Sequence, residues 1–101
     1  MAYGIVIVFE GVTEQDYWAV NDKLGIARDD WTEGWPDGAI SHFAGPTPTG
    51  WLVTEVWESK AAQEKFFADR LQPAFMAAGV PAPTQVIETD LVNYKTADKK
   101  K

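Results

Sequence analysis

The sequence has 101 residues, of which 46% are hydrophobic and 24% charged, the size and composition of one globular domain. Its formal net charge of −6 is unevenly spread, because four of the nine cationic residues lie from Lys95 onward, whereas fourteen of the fifteen acidic residues precede Lys95. An acidic body argues against nucleic-acid and membrane partners. The absence of cysteine excludes disulfides and thiolate metal sites and favours a cytoplasmic location.

The first half of the sequence predicts a strand, a helix and a long loop. Tyr3–Glu10 is short, apolar and rich in β-branched residues, which is typical of a central strand and not of a signal peptide or a membrane span. The next segment has Thr13 as a candidate helix cap, an apolar stripe at helical spacing, and Gly25 as its end. Residues 26–38 show no regular periodicity, so we expect a long loop.

A hairpin is predicted after this loop. Two alternating segments, AISHFAG and GWLVTEVWES, flank the sequence PTPT, whose prolines are typical of a turn. If Gly45 pairs with Gly50, His42 and Glu55 lie on one face of the sheet as diagonal neighbours. A slip of one residue in the turn would place them on opposite faces.

The rest of the sequence predicts one helix and one strand. Residues 60–79 have an apolar stripe at helical spacing that Pro73 interrupts, so we expect a kink or break near Gln72. Residues 84–94 alternate as a last strand. The order β-α-β-β-α-β is the ferredoxin-like pattern, an α+β fold with a four-stranded antiparallel sheet.

The predicted sheet has one face without a cover. Two helices cover only one face, and the other carries apolar residues in at least three strands. We therefore expect a homodimer in which two sheets pack face to face and form a dimeric α/β barrel. The folded domain then spans residues 1–95, and residues 96–101 form a flexible lysine-rich tail.

The third strand and the helix after it, VTEVWESKAAQEKFF, resemble the antibiotic-biosynthesis-monooxygenase-like branch of the dimeric α/β-barrel superfamily, and the element order matches over residues 3–94. That superfamily includes cofactor-free monooxygenases of polyketides, haem-degrading enzymes, cyclases and isomerases. The resemblance implies a ligand site between the helices and the sheet of one subunit. Haem-degrading members place a histidine on the second helix and an asparagine on the first strand, and this sequence has neither, so we expect no haem and no other cofactor.

The candidate catalytic residues are His42, the only histidine of the chain, and Glu55. A carboxylate beside an imidazole orients the ring and stabilises its protonated form, as a general base or proton shuttle requires. The alternative is a strand histidine that makes a structural hydrogen bond and does no chemistry. Because the sequence has a single histidine and no cysteine, it does not favour a metal site.

The candidate ligand-binding residues are large aromatic side chains and one cation near the expected cavity. They are Trp18, Trp31, Trp35, Trp51, Trp57, Phe67 and Arg70. The alternative for the tryptophans is packing in the core or at the dimer interface, and the two in the loop form either a lid over the cavity or a plug at the end of the core. Arg70 either meets an anionic group of a ligand or pairs on the surface with Asp69 or Glu64.

Together these patterns favour a cofactor-independent, monooxygenase-like enzyme. Its substrate would be a small hydrophobic aromatic or polyketide-like molecule, with His42 as the proton shuttle. Two alternatives stay open, namely a cyclase or isomerase of the same superfamily, and a non-catalytic dimer of the same fold that binds a small molecule or has a structural role.

Overall fold

The computed structural model describes residues 2–26 and 34–95, and the order of its elements is the predicted one. The strands are β1 (Tyr3–Glu10), β2 (Ala39–Thr47), β3 (Gly50–Trp57) and β4 (Gln85–Asp90). The helices are α1 (Glu14–Leu24), α2 (Lys60–Phe66) and α3 (Gln72–Ala78), and a π-helical turn (Phe67–Leu71) joins the last two. The predicted tail, residues 96–101, and most of the predicted loop, including Trp31, lie outside the described residues.

The four strands form one antiparallel sheet with the order β2-β3-β1-β4, which confirms the ferredoxin-like α+β fold. Alternate residues of β1 and β3 are buried with residues of the helices in one core. The other side chains of these strands, on the face that the helices do not cover, are only partly buried. None of the helices within residues 2–26 and 34–95 is long and apolar enough to cross a membrane.

Helix α1 is bounded by the two residues that the sequence indicated. The Thr13 hydroxyl accepts a hydrogen bond from the backbone N–H of Asp16, and the Asp16 carboxylate accepts one from the backbone N–H of Thr13, which completes a capping box. Gly25 ends the helix in the left-handed conformation, with φ of 77°, which costs glycine no steric strain. These two ends fix which side chains of α1 face the sheet.

The expected break near Gln72 takes a different form. Pro73 has no N–H to donate to the carbonyl of Asp69, and the backbone widens into a π-helical turn in which the N–H of Gln72 bonds to the carbonyl of Phe67. Pro73 then lies in the first turn of α3, where no intrahelical donor is needed. The irregularity predicted near Gln72 is therefore a π-helical bulge that lies directly before the proline.

The hairpin between β2 and β3 is tighter than predicted. Thr47 pairs with Gly50, so the turn proper has two residues, and the strands extend further than the sequence PTPT suggested. This register differs by two residues from the predicted one and therefore keeps the side chains from His42 to Trp57 on their predicted faces, whereas a bulge between Ala39 and Ser41 interrupts the alternation at the start of β2. His42 pairs directly with Glu55, where a diagonal relation was expected.

Candidate functional site

A cavity of about 190 Å³ lies between the helices and the inner face of the sheet. Most of its walls are apolar, and the side chains that form them include Ile7, Phe9, Val53, Phe66, Leu71 and Phe75. An apolar cavity of about 150 Å³ engineered into another protein holds a benzene molecule. This cavity is therefore large enough for a small substituted aromatic ring.

One wall of the cavity carries a connected set of polar groups. The hydroxyl oxygen of Tyr17 lies 2.6 Å from Nε2 of His42, and Nδ1 of His42 lies 3.1 Å from Oε2 of Glu55. The indole Nε1–H of Trp57 donates to Oε1 of Glu55 at 2.9 Å. We call these four residues the polar network.

With Glu55 ionised and His42 neutral, the partners fix the direction of every hydrogen bond in the polar network. An ionised carboxylate only accepts, so the ring proton of a neutral His42 is on Nδ1 and points to Glu55. Nε2 is then the acceptor, and the hydroxyl of Tyr17 donates to it. The network runs from Tyr17 at the cavity to Glu55 on β3.

Each member of the polar network is placed by a local feature of the sequence. The capping box that begins α1 sets the helical phase that turns Tyr17 toward the sheet. The register of the hairpin sets His42 opposite Glu55, and Trp57 follows two residues later on the same face. The rings of Tyr17 and His42 are nearly parallel, with centroids 6.0 Å apart and an angle of 16° between their planes.

The electrostatics of the site keep Tyr17 in its neutral form. Burial raises the pKa of Tyr17; the side chain of Asn21 lowers it in part, and the carboxylate of Glu55 raises it further, so that it stays above its ordinary value. Glu55 is only 9% exposed, and a buried carboxylate is costly unless donors satisfy it. Trp57 and His42 supply those donors, one to each carboxylate oxygen.

Four of the predicted ligand-binding tryptophans line the cavity. They are Trp18, Trp35, Trp51 and Trp57. The indole of Trp18 donates to Glu14 and that of Trp35 to the backbone carbonyl of Ala39, so both rings are held at the margin of the site. The Nε1 of Trp51 is buried and has no hydrogen-bond partner within the described ranges. Trp31 lies outside the described residues.

The structure does not bring Phe67 and Arg70 to the cavity. Phe67 is 38% exposed and is not one of the residues that line the cavity. Arg70 donates through one nitrogen to the carbonyls of Leu24, at 2.8 Å, and Gly34, at 3.2 Å. The last carbonyls of a helix have no hydrogen-bond donor within the helix, and the guanidinium of Arg70 supplies one at the end of α1.

The prediction of a surface ion pair for Arg70 is corrected in the same way. Lys65 is the partner of Asp69, at 2.7 Å, and Lys60 lies 4.0 Å from Glu64. Arg70 instead extends over the ring of Phe66, with 5.4 Å between the guanidinium carbon and the ring centroid. Arg70 thus links the end of α1 to Gly34, in the segment that leads to β2.

Sequence reasoning missed Tyr17 as a member of the site. Its place in the apolar stripe between Thr13 and Gly25 indicates only packing in the core. A buried tyrosine usually finds a partner for its hydroxyl, and the inner face of the predicted hairpin offered His42 as one. The signal was present in the combination of these two residues and not in either segment alone.

No protein-family model matches the sequence, and no curated protein matches it significantly. The structure resembles that of a Chloroflexus aurantiacus protein provisionally classed as an antibiotic biosynthesis monooxygenase, with a TM-score of 0.66 and 18% identity over 95% of this chain and 98% of that one. A Deinococcus radiodurans structure with the same provisional class has a TM-score of 0.57 and 14% identity over 95% and 97% of the two chains. A Nitrosomonas europaea protein of unknown function has a TM-score of 0.59 and 16% identity over 94% and 91%.

At these identities the likeness establishes the fold and leaves the activity to be argued from the site. The resemblance seen in VTEVWESKAAQEKFF is borne out at that level, because structures of the same class share the whole arrangement of helices and strands. The chain therefore has the ferredoxin-like fold that these solved structures share.

Proposed function

We propose that the protein binds a small hydrophobic, aromatic or polyketide-like molecule in the cavity and moves a proton on it with His42, which Glu55 orients. The observation that carries this proposal is the polar network in an otherwise apolar cavity. Burial of a carboxylate and an imidazole costs free energy that apolar residues would not cost. Such an arrangement is typical of a site that does acid–base chemistry.

The reaction class that we propose is a cofactor-independent, monooxygenase-like oxidation. Removal of a proton makes an electron-rich aromatic molecule able to react with molecular oxygen, which is then the oxidant. The mostly apolar walls of the cavity offer the deprotonated molecule few contacts with water. The provisional class of two structurally similar proteins supports this choice.

A second copy of the chain is the partner that we propose for the open face of the sheet. This face carries a band of apolar side chains from all four strands, two of which are clearly exposed: Phe43 is 63% and Ile87 48% exposed. Val6, Val8, Leu52 and Val56 continue the band between them. An apolar band of this width is unfavourable in water, and an identical face would cover it.

The proposed dimer is tested by sedimentation at micromolar concentration. We expect a dimer for the wild type and a monomer for Val56→Glu, because a carboxylate within the covered band would be buried without a partner. The matched control is Glu64→Gln on the helical surface, which leaves the dimer unchanged. A monomeric wild type would contradict the proposed assembly.

The proposed function is tested with the protein purified gently from its own host. Native mass spectrometry detects a bound small molecule that is lost on denaturation, and the released molecule is then used as the substrate in an oxygen-consumption assay. We expect His42→Gln to keep the melting temperature, because the amide can still donate to Glu55, and to abolish turnover. Lys65→Gln, on the exposed surface of α2, serves as the control with unchanged turnover.

Two results would count against this function. A protein that carries no small molecule and consumes no oxygen with hydroxylated aromatic compounds would contradict it. A drop of several degrees in the melting temperature of His42→Gln with full ligand binding would instead identify a structural hydrogen bond.

A further inference from the structure

Both ring nitrogens of His42 are already occupied by groups of the protein. Nδ1 faces Glu55 and Nε2 faces the hydroxyl of Tyr17. A molecule in the cavity would have to displace one of these groups before it touched the imidazole. The oxygen of Tyr17, in contrast, gives its proton to Nε2 and keeps its lone pairs for another donor.

We propose that Tyr17 is the residue that touches the substrate, and that the substrate carries an acidic phenolic or enolic hydroxyl. This inference rests on the proposed function and deepens it, because it names the group through which His42 acts. Tyr17 lines the cavity, is partly buried and lies next to the ring of Trp51, with centroids 5.3 Å apart. A substrate ring in the cavity can therefore direct a hydroxyl to the Tyr17 oxygen.

The proton moves in two coupled steps. The substrate O–H bond breaks and its proton bonds to the oxygen of Tyr17, while the Tyr17 O–H bond breaks and its proton bonds to Nε2 of His42. The products are a substrate oxyanion, a neutral Tyr17 and an imidazolium that still donates to Glu55. No oxidant or reductant takes part, and the total charge of the site with its substrate does not change.

The charges around the cavity explain why a hydroxyl is the suitable group. The titratable side chains that line it, among the residues that the structure describes, are Asp16, Tyr17, His42 and Glu55, with no lysine or arginine. Asp16 already accepts from the backbone of Thr13. The imidazolium formed by the transfer is thus the only positive charge on the described walls.

This balance also sets how the site treats compounds without an acidic hydroxyl. A carboxylic acid enters already ionised, faces the negative charge of Glu55 and offers no proton that would create the compensating imidazolium. A ring without a hydroxyl fits the apolar walls but leaves the Tyr17 oxygen without a donor. The preferred class is therefore a neutral aromatic or enolic compound with an acidic O–H.

The test uses p-nitrophenol, whose phenolate is yellow and whose neutral form is not, with p-nitroanisole as the matched probe that lacks the O–H. We expect the wild type to bind both probes and to ionise bound p-nitrophenol at a pH at which free p-nitrophenol is neutral. Tyr17→Phe keeps the ring and its packing against Trp18 and Trp51, and it binds p-nitroanisole as the wild type does. We expect it to lower the ionisation constant of bound p-nitrophenol about tenfold or more, the effect of a lost hydrogen bond to a charged group.

Each other outcome overturns a separate part of the reasoning. If Tyr17→Phe ionises p-nitrophenol as the wild type does, the ligand reaches His42 without Tyr17, and the inference fails while the proposed function stands. If the wild type binds p-nitrophenol and leaves it neutral, the proton path is absent. If the wild type binds neither probe, the proposed function itself fails.

Discussion

Trp51 and Trp57 offer a matched pair that measures what the polar network contributes to stability. Both lie on the inner face of β3 and are almost fully buried, with 6% and 1% of their surface exposed. Each ring packs against another aromatic ring, Trp51 against Tyr17 and Trp57 against Phe66, at similar distances of 5.3 and 5.4 Å. Replacement of either by phenylalanine removes the same atoms from the same kind of environment.

The two substitutions differ in the hydrogen bond that they remove. Trp57→Phe deletes the N–H that donates to the buried carboxylate of Glu55, whereas Trp51→Phe deletes a buried N–H that has no partner in the described part of the chain. A hydrogen bond to a charged group contributes about 1.5–3 kcal/mol. We expect the free energy of unfolding of Trp57→Phe to be lower than that of Trp51→Phe by at least about 1.5 kcal/mol, the lower end of this range.

The assay is urea unfolding followed by far-ultraviolet circular dichroism, because tryptophan fluorescence would change with the substitutions themselves. For a domain of this size the difference corresponds to at least about 6 °C in Tm. Equal slopes of the two unfolding curves would show that the same surface is exposed. Equal losses of stability, or a larger loss for Trp51→Phe, would refute the view that Trp57 holds the carboxylate of the polar network.

Three further predictions concern the scaffold, and each is checked by thermal unfolding. The hydrogen bond from Tyr3 and a nearby lysine lower the pKa of Glu88 in the folded protein. Its carboxylate therefore stabilises the fold at pH values above the unfolded-state pKa of about 4.3. This stabilisation is lost as the pH falls through the lower pKa of the folded state. The Tm difference between the wild type and Glu88→Gln is therefore expected at neutral pH and should disappear in acid; a gap that widens in acid would contradict this. Gly50→Ala would place a methyl group against a backbone oxygen of β1 and should cost about 1–3 kcal/mol, whereas Gly45→Ala meets no atom within 4 Å and should cost little. Arg70→Gln should destabilise the protein by about 1–3 kcal/mol, because two carbonyls lose a charged donor; an unchanged Tm would show that this link contributes nothing.

The sequence was sufficient for those features that depend on local chemistry. Thr13 and Gly25 mark the ends of α1 because capping and the left-handed conformation have strong residue preferences. From His42 to Trp57 the faces of the hairpin were predicted correctly although its register was not, since an error of two residues leaves the alternation of side chains intact there. His42 and Glu55 therefore lie on one face, as expected.

The features that sequence reasoning could not supply depend on contacts between distant segments. The bond from Tyr17 to His42 joins a helix to a strand 25 residues away, and no periodicity reports which polar tip meets which partner. Arg70 likewise finds the end of α1, 46 residues earlier, where local reasoning offered only its own helical neighbours. At Pro73 the missing N–H was recognised, but a break and a π-helical turn are both ways to accommodate it.

The single histidine makes one spectroscopic measurement decisive for the polar network. Nitrogen NMR of the protein labelled with ¹⁵N-histidine contains the signals of His42 alone. The network predicts that the neutral ring of the free protein carries its proton on Nδ1, and that both nitrogens are protonated when p-nitrophenol is bound. A free protein with the proton on Nε2, or a ring that stays neutral with p-nitrophenol bound as phenolate, would contradict the account.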